Sequence, residues 1–271
     1  MTVGIVGLGL IGGSIGLALR EPGRKIIGFD PNSASAKTAF DRGCIDAFAD
    51  LSEVSKADIV FIAVPPKHVV ATLIAVTAMK NPETVVTDCT SVKAEVVEWA
   101  DRAAEPNFVI GHPMAGHERT GAAFASAWLF RGAKWILCPL NSTALSAVKK
   151  VESLITIMGS SLVSMDPHAH DREIALVSHL PHALAGVLVQ LADGPHQVDV
   201  TGGSWKDLTR VGGVDPALWT QIFVANRVEI SKAIDETQEK LAELKAHLDN
   251  NEYDGVWAFF AHSRNAKERS G

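Results

Sequence analysis

The chain opens with the stretch Val3-Gly4-Ile5-Val6-Gly7-Leu8-Gly9-Leu10-Ile11-Gly12-Gly13-Ser14, in which an apolar run leads directly into a glycine-rich turn. The first four residues have the pattern of a strand buried in a parallel sheet, and the residues that follow the turn are apolar enough for a packed helix. Gly7 permits a tight turn, Gly9 leaves room for a pyrophosphate beside the backbone, and Gly12 lets the helix approach the strand. Because the helix N-terminus also offers free N–H groups to phosphates, this stretch predicts a dinucleotide site.

An acidic residue at the end of the second predicted strand bears on the choice of dinucleotide. Lys25–Phe29 has the pattern of a short strand and ends at Asp30, 23 residues after Gly7. A carboxylate there accepts hydrogen bonds from ribose hydroxyls and repels a 2′-phosphate, which favours NAD over NADP. The alternative is an ordinary turn aspartate, since Pro31-Asn32 follows. The predicted cofactor contacts are Gly7, Leu8, Gly9, Leu10, Ile11, Gly12, Asp30, Val64, Pro65 and Ser91.

Composition is typical of a globular enzyme and excludes several other classes. Of the 271 residues, 47% are hydrophobic and 21% are charged, and the formal net charge of −6 offers no footprint for nucleic acid or an anionic membrane. No apolar run reaches the roughly 18 residues that span a bilayer, and no leader pattern precedes the first strand. Cys44, Cys89 and Cys138 are odd in number and widely spaced, which indicates reduced thiols. We therefore predict a cytoplasmic protein without nucleic-acid or membrane partners.

The first 165 residues alternate between strand and helix patterns. Apolar, β-branched runs predict strands at 3–6, 26–29, 59–64, 84–87, 108–111, 134–138 and 161–164, and helical stretches lie at 34–42, 68–79, 93–102 and 144–158. This alternation predicts an α/β fold with a doubly wound, mostly parallel Rossmann-type sheet over residues 1–165. Ligands of such sheets bind at the carboxyl ends of the strands. The candidate site therefore comprises the glycine turn and the loops at 65–67, 88–93 and 111–116.

Strand patterns stop at Asp166, and residues 166–271 predict an all-helical domain. Asp171 can cap a helix that runs to residue 192 with a kink at Pro181, and Asp215-Pro216 can begin another. Apolar residues then recur at spacings of four and three, which predicts a helix that needs a partner; they are Ile230, Ile234, Thr237, Leu241, Leu244 and Leu248. The partner is either the final helix near 257–262, in a hairpin, or a second copy of the chain, in a dimer.

Two neighbouring loops at strand ends carry the residues best suited to proton transfer. His112 stands in a loop of small residues, and a histidine pKa near 6.5 suits a general base. Ser91 closes the loop after the fourth predicted strand, from which it could meet His112 and orient a substrate hydroxyl. No G-x-S-x-G elbow surrounds Ser91, so nothing marks it as a nucleophile. The alternative for His112 is a hydrogen-bonded loop histidine without a catalytic role.

The helical half contributes a histidine cluster and one arginine. Four histidines occur within 15 residues, at positions 168, 170, 179 and 182. Zinc requires three or four converging ligands with carboxylate or thiolate help, and the cysteines are distant in sequence, so we predict no metal site. Arg210, flanked by glycines and followed by Trp219, could hold a carboxylate in a guanidinium fork. Otherwise it is a surface arginine at a helix end.

Four motifs occur together with the glycine turn, namely Gly111-His112-Pro113-Met114-Ala115-Gly116, Thr87-Asp88-x-x-Ser91-Val92-Lys93, Ser178-His179-Leu180-Pro181-His182 and Asp207-x-Thr209-Arg210. From the turn to about residue 250 the chain resembles the prephenate/arogenate dehydrogenase family of tyrosine biosynthesis. The resemblance implies a C-terminal dimerisation domain, a homodimer and an active site between the two domains. The implied reaction is the oxidative decarboxylation of prephenate to 4-hydroxyphenylpyruvate, with hydride transfer to NAD.

The resemblance also implies roles for particular residues. His112 would accept the proton of the ring hydroxyl with help from Ser91, and Arg210 would bind the side-chain carboxylate. The rest of the substrate pocket would be formed by His117, Glu118, His179, His182 and Trp219. Feedback inhibition by tyrosine at the same site is a further prediction from the resemblance.

Three alternatives to a prephenate dehydrogenase are open at this stage. Arogenate carries an ammonium where prephenate carries a keto group, and Glu118 could pair with that ammonium. Another nicotinamide-dependent hydroxyacid dehydrogenase would take its base from a lysine or histidine of the helical half. A non-enzymatic NAD-binding regulatory module would need only the glycine turn.

Overall fold

The nucleotide-binding half is built on six parallel strands. The computed structural model describes residues 1–117, 119–193 and 200–270, with side chains to residue 269. The strands are β1 (Thr2–Val6), β2 (Lys25–Phe29), β3 (Ala47–Phe48), β4 (Ile59–Ile62), β5 (Val85–Asp88) and β6 (Phe108–Val109). They lie in the order β3-β2-β1-β4-β5-β6, and all pairs are parallel. The order reverses between β1 and β4, which is where ligands bind in sheets of this kind.

Helices cover both faces of this sheet. They are α1 (Leu10–Ala18), α2 (Ser33–Asp41), α3 (Leu51–Ser55), α4 (Pro66–Met79), α5 (Ala94–Ala103) and α6 (Leu145–Ile157). Successive strand residues point to opposite faces, so Ile5 packs in a core with α1, α2 and α6, whereas Val6 packs in a second core with α3, α4 and α5. The predicted Rossmann-type α/β fold is confirmed, although the sequence pattern did not reveal β3 and α3, which are short.

A second, smaller sheet carries one of the predicted site residues. It consists of β7 (Gly111–Pro113), β8 (Lys134–Leu137) and β9 (Ser161–Ser164), in the order β7-β8-β9. Strands β7 and β8 are antiparallel, and His112 pairs with Ile136. The predicted strand at 108–111 is therefore split between two sheets, and His112 lies in a strand and not in a loop. The sequence pattern misses this because the partner of β7 lies more than twenty residues farther along the chain.

One continuous helix of 26 residues, Pro167–Ala192, begins the helical half. It consists of α7 (Pro167–Ile174), a π-helical turn (Ala175–His179) and α8 (Leu180–Ala192). The helix begins five residues earlier than predicted, because its cap is Asp166 and not Asp171: the Asp166 carboxylate accepts from the N–H of His168 at 2.7 Å. The predicted irregularity at Pro181 takes the form of the π turn just before it, where the wider winding accommodates a residue without an N–H.

This long helix is apolar enough to cross a membrane by length and composition alone. It contains no strictly apolar run of that length, because uncharged polar residues interrupt the stretch 175–192. His170, Asp171 and His179 are buried on the helix and hydrogen-bond to other elements. These contacts favour packing within the protein. The exposed apolar side chains of this helix are Leu176, Val177, Leu184, Val187, Val189 and Leu191.

Four further helices complete the described part of the chain: α9 (Gly203–Thr209), α10 (Pro216–Ala225), α11 (Arg227–Asp249) and α12 (Tyr253–Ser270). Helices α11 and α12 contact each other as a hairpin, which is one of the two partners predicted for the apolar stripe, the row of apolar residues from Ile230 to Leu248. Ile230 at the start of the stripe is buried, but Leu241 and Leu248 are exposed. The later half of the stripe therefore leaves an apolar surface that α12 does not cover.

Candidate functional site

The glycine turn between β1 and α1 is shaped to receive phosphates. Gly7 has φ +92°, and a Cβ at this position would lie 2.5 Å from the carbonyl oxygen of Ala63. A Cβ at Gly12 would lie 1.9 Å from the carbonyl oxygen of Gly7, whereas a Cβ at Gly9 would meet no atom of the described part of the chain within 4 Å. Gly9 is the N-cap of α1, and no side chain among the described residues caps the helix there. The N–H groups of the first turn, which includes Leu10 and Ile11, are therefore available to an anion.

The Asp30 carboxylate lies directly beside this turn. One oxygen accepts from the N–H of Leu8 and the other from the N–H of Asn32, both at 2.8 Å. Asp30 thus closes its own turn, as a turn aspartate does, and also lies next to the glycine turn, whereas its role toward a ribose stays a prediction. Val64 and Pro65 follow β4, on the other side of Gly7 at the point where the strand order reverses. The turn, Asp30 and this loop therefore lie together at the carboxyl ends of the strands, where dinucleotides bind in sheets of this kind.

A chain of three buried side chains links the two halves of the molecule. The Nδ1 of His112 lies 2.9 Å from the Nε2 of His170, and the Nδ1 of His170 lies 2.7 Å from the Oδ1 of Asp171. The Asp171 carboxylate also accepts from the N–H groups of Lys93 and Ala94, both at 2.8 Å. Asp171 therefore caps the N-terminus of α5 in the nucleotide-binding half and not, as predicted, the long helix on which it lies.

Burial determines the charge of these groups. It lowers the pKa of His112 well below the ordinary histidine value, and the neighbouring His170, Lys93 and His179 lower it further. Burial likewise lowers the pKa of His170, against the opposing effect of Asp171. Burial would raise the pKa of Asp171, but hydrogen bonds from His170 and from the backbone of Lys93 and Ala94 bring it below its ordinary value. Near neutral pH these three side chains therefore comprise two neutral imidazoles and one carboxylate.

A buried ion pair fixes the backbone next to His112. The Nζ of Lys93 lies 2.5 Å from the Oδ2 of Asp88 and also donates to the carbonyl oxygen of Gly111. The Oδ1 of Asp88 accepts from the N–H of Gly111 at 3.1 Å. Both side chains of the pair are completely buried. The peptide groups of Gly111 are therefore held on both sides, which fixes the position from which His112 projects.

Ser91 lies in the loop between β5 and α5 and is partly exposed. Its side chain makes no hydrogen bond to any residue that the structure describes, and the predicted meeting with His112 is not seen as a direct contact. Its predicted role stays a prediction.

A second group of predicted residues comes together in the helical half. The ring of His182 stacks on Trp219 with centroids 3.7 Å apart, and the charge of Arg210 contributes to lowering the pKa of His182, after burial. His179 packs edge-on against Trp219 at 6.2 Å, and its Nδ1 lies 3.1 Å from the Nδ2 of Asn226. Burial lowers the pKa of His179 to about 4. His179 and His182 are thus largely neutral near pH 7, and Arg210 supplies the positive charge beside them.

The surroundings of Arg210 differ from the prediction in one respect. Arg210 does not lie in a glycine-bounded loop, because it begins a short 3₁₀ turn (Arg210–Gly212) directly after α9. The side chain is exposed, so the guanidinium is available to a ligand. His117 is also exposed, and its Nδ1 accepts from the N–H of Arg119 at 3.0 Å. Glu118, the other predicted residue of this loop, lies outside the described residues.

The histidine cluster is not arranged as a metal site in the part of the chain that the structure describes. No group of three His, Cys, Asp or Glu side chains converges there as ligands would. His170 and His179 form hydrogen bonds to other side chains, and His168 is exposed.

Sequence reasoning missed several residues that organise the site. The sequence marks His170 only as one of four clustered histidines and Asp171 only as a helix cap, and it indicates no role for Asp88, Lys93 or Asn226. The available signal was the adjacency of a histidine and an aspartate soon after Asp166-Pro167. That dipeptide marks a helix start as clearly as Asp215-Pro216 does.

Comparisons with known proteins agree along the whole chain. Residues 15–164 match the family model described as prephenate dehydrogenase, nucleotide-binding domain, and residues 166–262 match the one described as prephenate dehydrogenase, dimerization domain. A prephenate dehydrogenase of Bacillus subtilis is 32% identical over 98% of this chain and 75% of that protein.

Solved structures of related proteins have the same fold. A prephenate dehydrogenase from A. aeolicus in complex with hydroxyphenyl propionate and NAD+ is 30% identical, with a TM-score of 0.89 over 100% of this chain and 98% of that one. The arogenate dehydrogenase of Synechocystis is 28% identical, with a TM-score of 0.85 over the whole of both chains.

Proposed function

The chain belongs to the prephenate dehydrogenase family, and we propose that it converts prephenate to 4-hydroxyphenylpyruvate by oxidative decarboxylation with NAD as the cofactor. The observation that carries this proposal is His112, a buried, neutral imidazole on β7 that contacts His170 of the helical half. The glycine turn and Asp30 would hold the dinucleotide, because the geometry at Gly7, Gly9 and Gly12 leaves the space and N–H groups that a pyrophosphate needs.

His112 is suited to be the general base of this reaction. Prephenate is a cyclohexadiene with a ring hydroxyl at C4 and a carboxylate at C1, and oxidation at C4 requires that the hydroxyl proton be removed. A neutral histidine can accept that proton, and burial keeps His112 neutral at physiological pH. When bound, the nicotinamide would supply the hydride acceptor. Loss of carbon dioxide from C1 restores aromaticity, which makes the overall reaction effectively irreversible.

The remaining predicted residues would position the substrate. Arg210 is exposed and lies near His182, so its guanidinium can hold the side-chain carboxylate through two parallel hydrogen bonds. Trp219 and His182 form a stacked wall beside it, and His179 packs against the same tryptophan. Ser91, His117 and Glu118 complete the proposed pocket, with Ser91 assisting His112 at the hydroxyl.

We also propose a homodimer formed through the helical half. The exposed apolar side chains of the long helix and of α11 support it, as does the match of residues 166–262 to a dimerization domain. The three cysteines are free thiols, which supports a reducing, cytoplasmic location. Tyrosine, which shares its phenol with the reaction product, is proposed as a feedback inhibitor at the same site.

The test is a steady-state assay of the purified protein with prephenate and arogenate, each with NAD and NADP. We expect the highest kcat/KM with prephenate and NAD. His112→Asn should lower kcat by about two to four orders of magnitude, the range for a positioned general base, with little change in NAD affinity. His168→Asn, an exposed histidine on the nearby helix, is the matched control. Near-native turnover in the His112 variant would remove this residue from the mechanism, and a preference for arogenate would reassign the substrate.

A further inference from the structure

The proton positions in the chain from His112 to Asp171 follow from its hydrogen bonds. The Asp171 carboxylate accepts from two backbone N–H groups, those of Lys93 and Ala94, and an ionised carboxylate has no proton to donate. The nitrogen that faces it, Nδ1 of His170, must therefore be the donor in the 2.7 Å contact. Asp171 thus determines on which of its two nitrogens His170 carries a proton.

The same reasoning extends to the next imidazole. A neutral histidine has one N–H, so a proton on Nδ1 leaves the Nε2 of His170 with a free lone pair. That lone pair lies 2.9 Å from the Nδ1 of His112, which must then be the donor. The single proton of His112 is consequently placed on Nδ1, and its Nε2 remains a free acceptor.

We infer that His170 and Asp171 are a positioning pair that sets the tautomer of His112 and thereby keeps its Nε2 unprotonated for the substrate. The inference rests on the proposed function, in which His112 is the base. In the proton-transfer step the O–H bond of the substrate breaks and an Nε2–H bond forms on His112, while Nδ1–H stays hydrogen-bonded to His170. Asp171 remains a carboxylate throughout and stabilises the imidazolium through His170, as an aspartate does in other histidine-based sites.

Asp171 performs this role from a fixed position. Its two oxygens cap the N-terminus of α5, where a carboxylate is favoured by the helix dipole. Its own carbonyl oxygen accepts from the Nδ2 of Asn226 at 2.8 Å. A purely structural explanation would assign Asp171 to helix capping alone. The two explanations differ in what happens to the proton of His112.

Two substitutions at position 170 distinguish the tautomer explanation from the purely structural one. His170→Gln keeps one donor for Asp171 and one acceptor for the Nδ1–H of His112, whereas His170→Phe has neither and retains a similar ring shape. A third variant, Asp171→Asn, can turn its amide N–H toward His170 and so favour the opposite tautomer along the chain. His168→Asn on the same helix is the control.

The readouts are kcat and KM with prephenate and NAD, together with ¹⁵N NMR of protein labelled at histidine. We expect wild type to show an unprotonated Nε2 at His112, His170→Gln to retain it, and His170→Phe and Asp171→Asn to lose it in part or completely. Turnover should fall about 10²- to 10⁴-fold in the last two variants and about 10-fold or less in His170→Gln. NAD binding should be unchanged in every variant, which also serves as the check of folding.

Several outcomes would overturn the inference. One is a protonated Nε2 at His112 in wild type, and another is an unchanged tautomer and turnover in His170→Phe. Equal losses in the Gln and Phe variants would assign His170 to packing alone. If His170→Phe does not fold, Asp171→Asn takes its place: a tautomer and turnover equal to those of His170→Gln would overturn the inference. Failure of the proposed function is recognised separately, because an inactive wild type can still show the tautomer in the NMR spectrum.

Discussion

The buried Lys93–Asp88 pair makes a quantitative prediction about stability. Lys93→Met keeps the length and apolar stem of the side chain but removes the charge. Asp88 would then be a completely buried carboxylate without a cation, and the carbonyl oxygen of Gly111 would lose its donor. Removal of one partner from such a pair costs about 3–5 kcal/mol. In a protein of this size, 1 kcal/mol corresponds to about 2–4 °C, so Tm should fall by roughly 6–20 °C.

The assay is thermal unfolding followed by circular dichroism, with two reference variants. Lys93→Met combined with Asp88→Asn should recover a large part of the loss, because the uncompensated charge is gone. Lys37→Met breaks an exposed pair with Asp41 on α2 and should cost about 1 kcal/mol or less. A loss in Lys93→Met no larger than that in Lys37→Met would refute the reasoning. A double variant that loses more stability than the two single variants lose in total would also refute it.

Three further outcomes concern the proposed reaction. Asp30→Ser should improve the use of NADP relative to NAD, measured as the ratio of kcat/KM values; a wild type that already prefers NADP would contradict the role given to Asp30. Arg210→Ala should raise the KM for prephenate by about 10- to 100-fold, or roughly 1.5–3 kcal/mol, and Arg210→Lys should recover only part of the lost affinity. An unaltered KM in Arg210→Ala would place Arg210 outside the pocket. Burial, together with the neighbouring His170 and Lys93, lowers the pKa of His112. We therefore expect kcat/KM to stay level as the pH falls from about 8 to about 6.5 and to decline only below that. An acid limb centred above pH 6.5 would count against His112 as the base.

Features encoded by contiguous residues were predictable from the sequence. The turn at Gly7–Gly12 combines a positive φ at Gly7 with a close backbone approach at Gly12, and both requirements leave a local signature. The strands around it are continuous apolar runs because both faces of the sheet are buried. Helix α10 begins where Asp215-Pro216 predicts, with the Asp215 carboxylate accepting from the N–H of Ala217.

Features that depend on distant partners were not predictable in the same way. His112 belongs to a strand only because β8 pairs with it, and its ring is held by His170, 58 residues away. Asp171 looks like a local cap because its side chain is of the capping type, yet it accepts from residues 77 and 78 positions earlier in the chain. The chemistry of each residue was visible in the sequence, but its partner was not.

The π turn at Ala175–His179 has a consequence for how such a site can change during evolution. On this one helix, His170 and Asp171 come before the π turn, His179 is its last residue, and His182 follows it. A π turn holds about one residue more than an α turn, so it rotates everything downstream by roughly 100° around the axis. Removal of a single codon here would swing the later pair of histidines away from its neighbours while every other residue of the site stayed the same. The length of this segment is therefore as much a determinant of the site as the identity of any side chain in it.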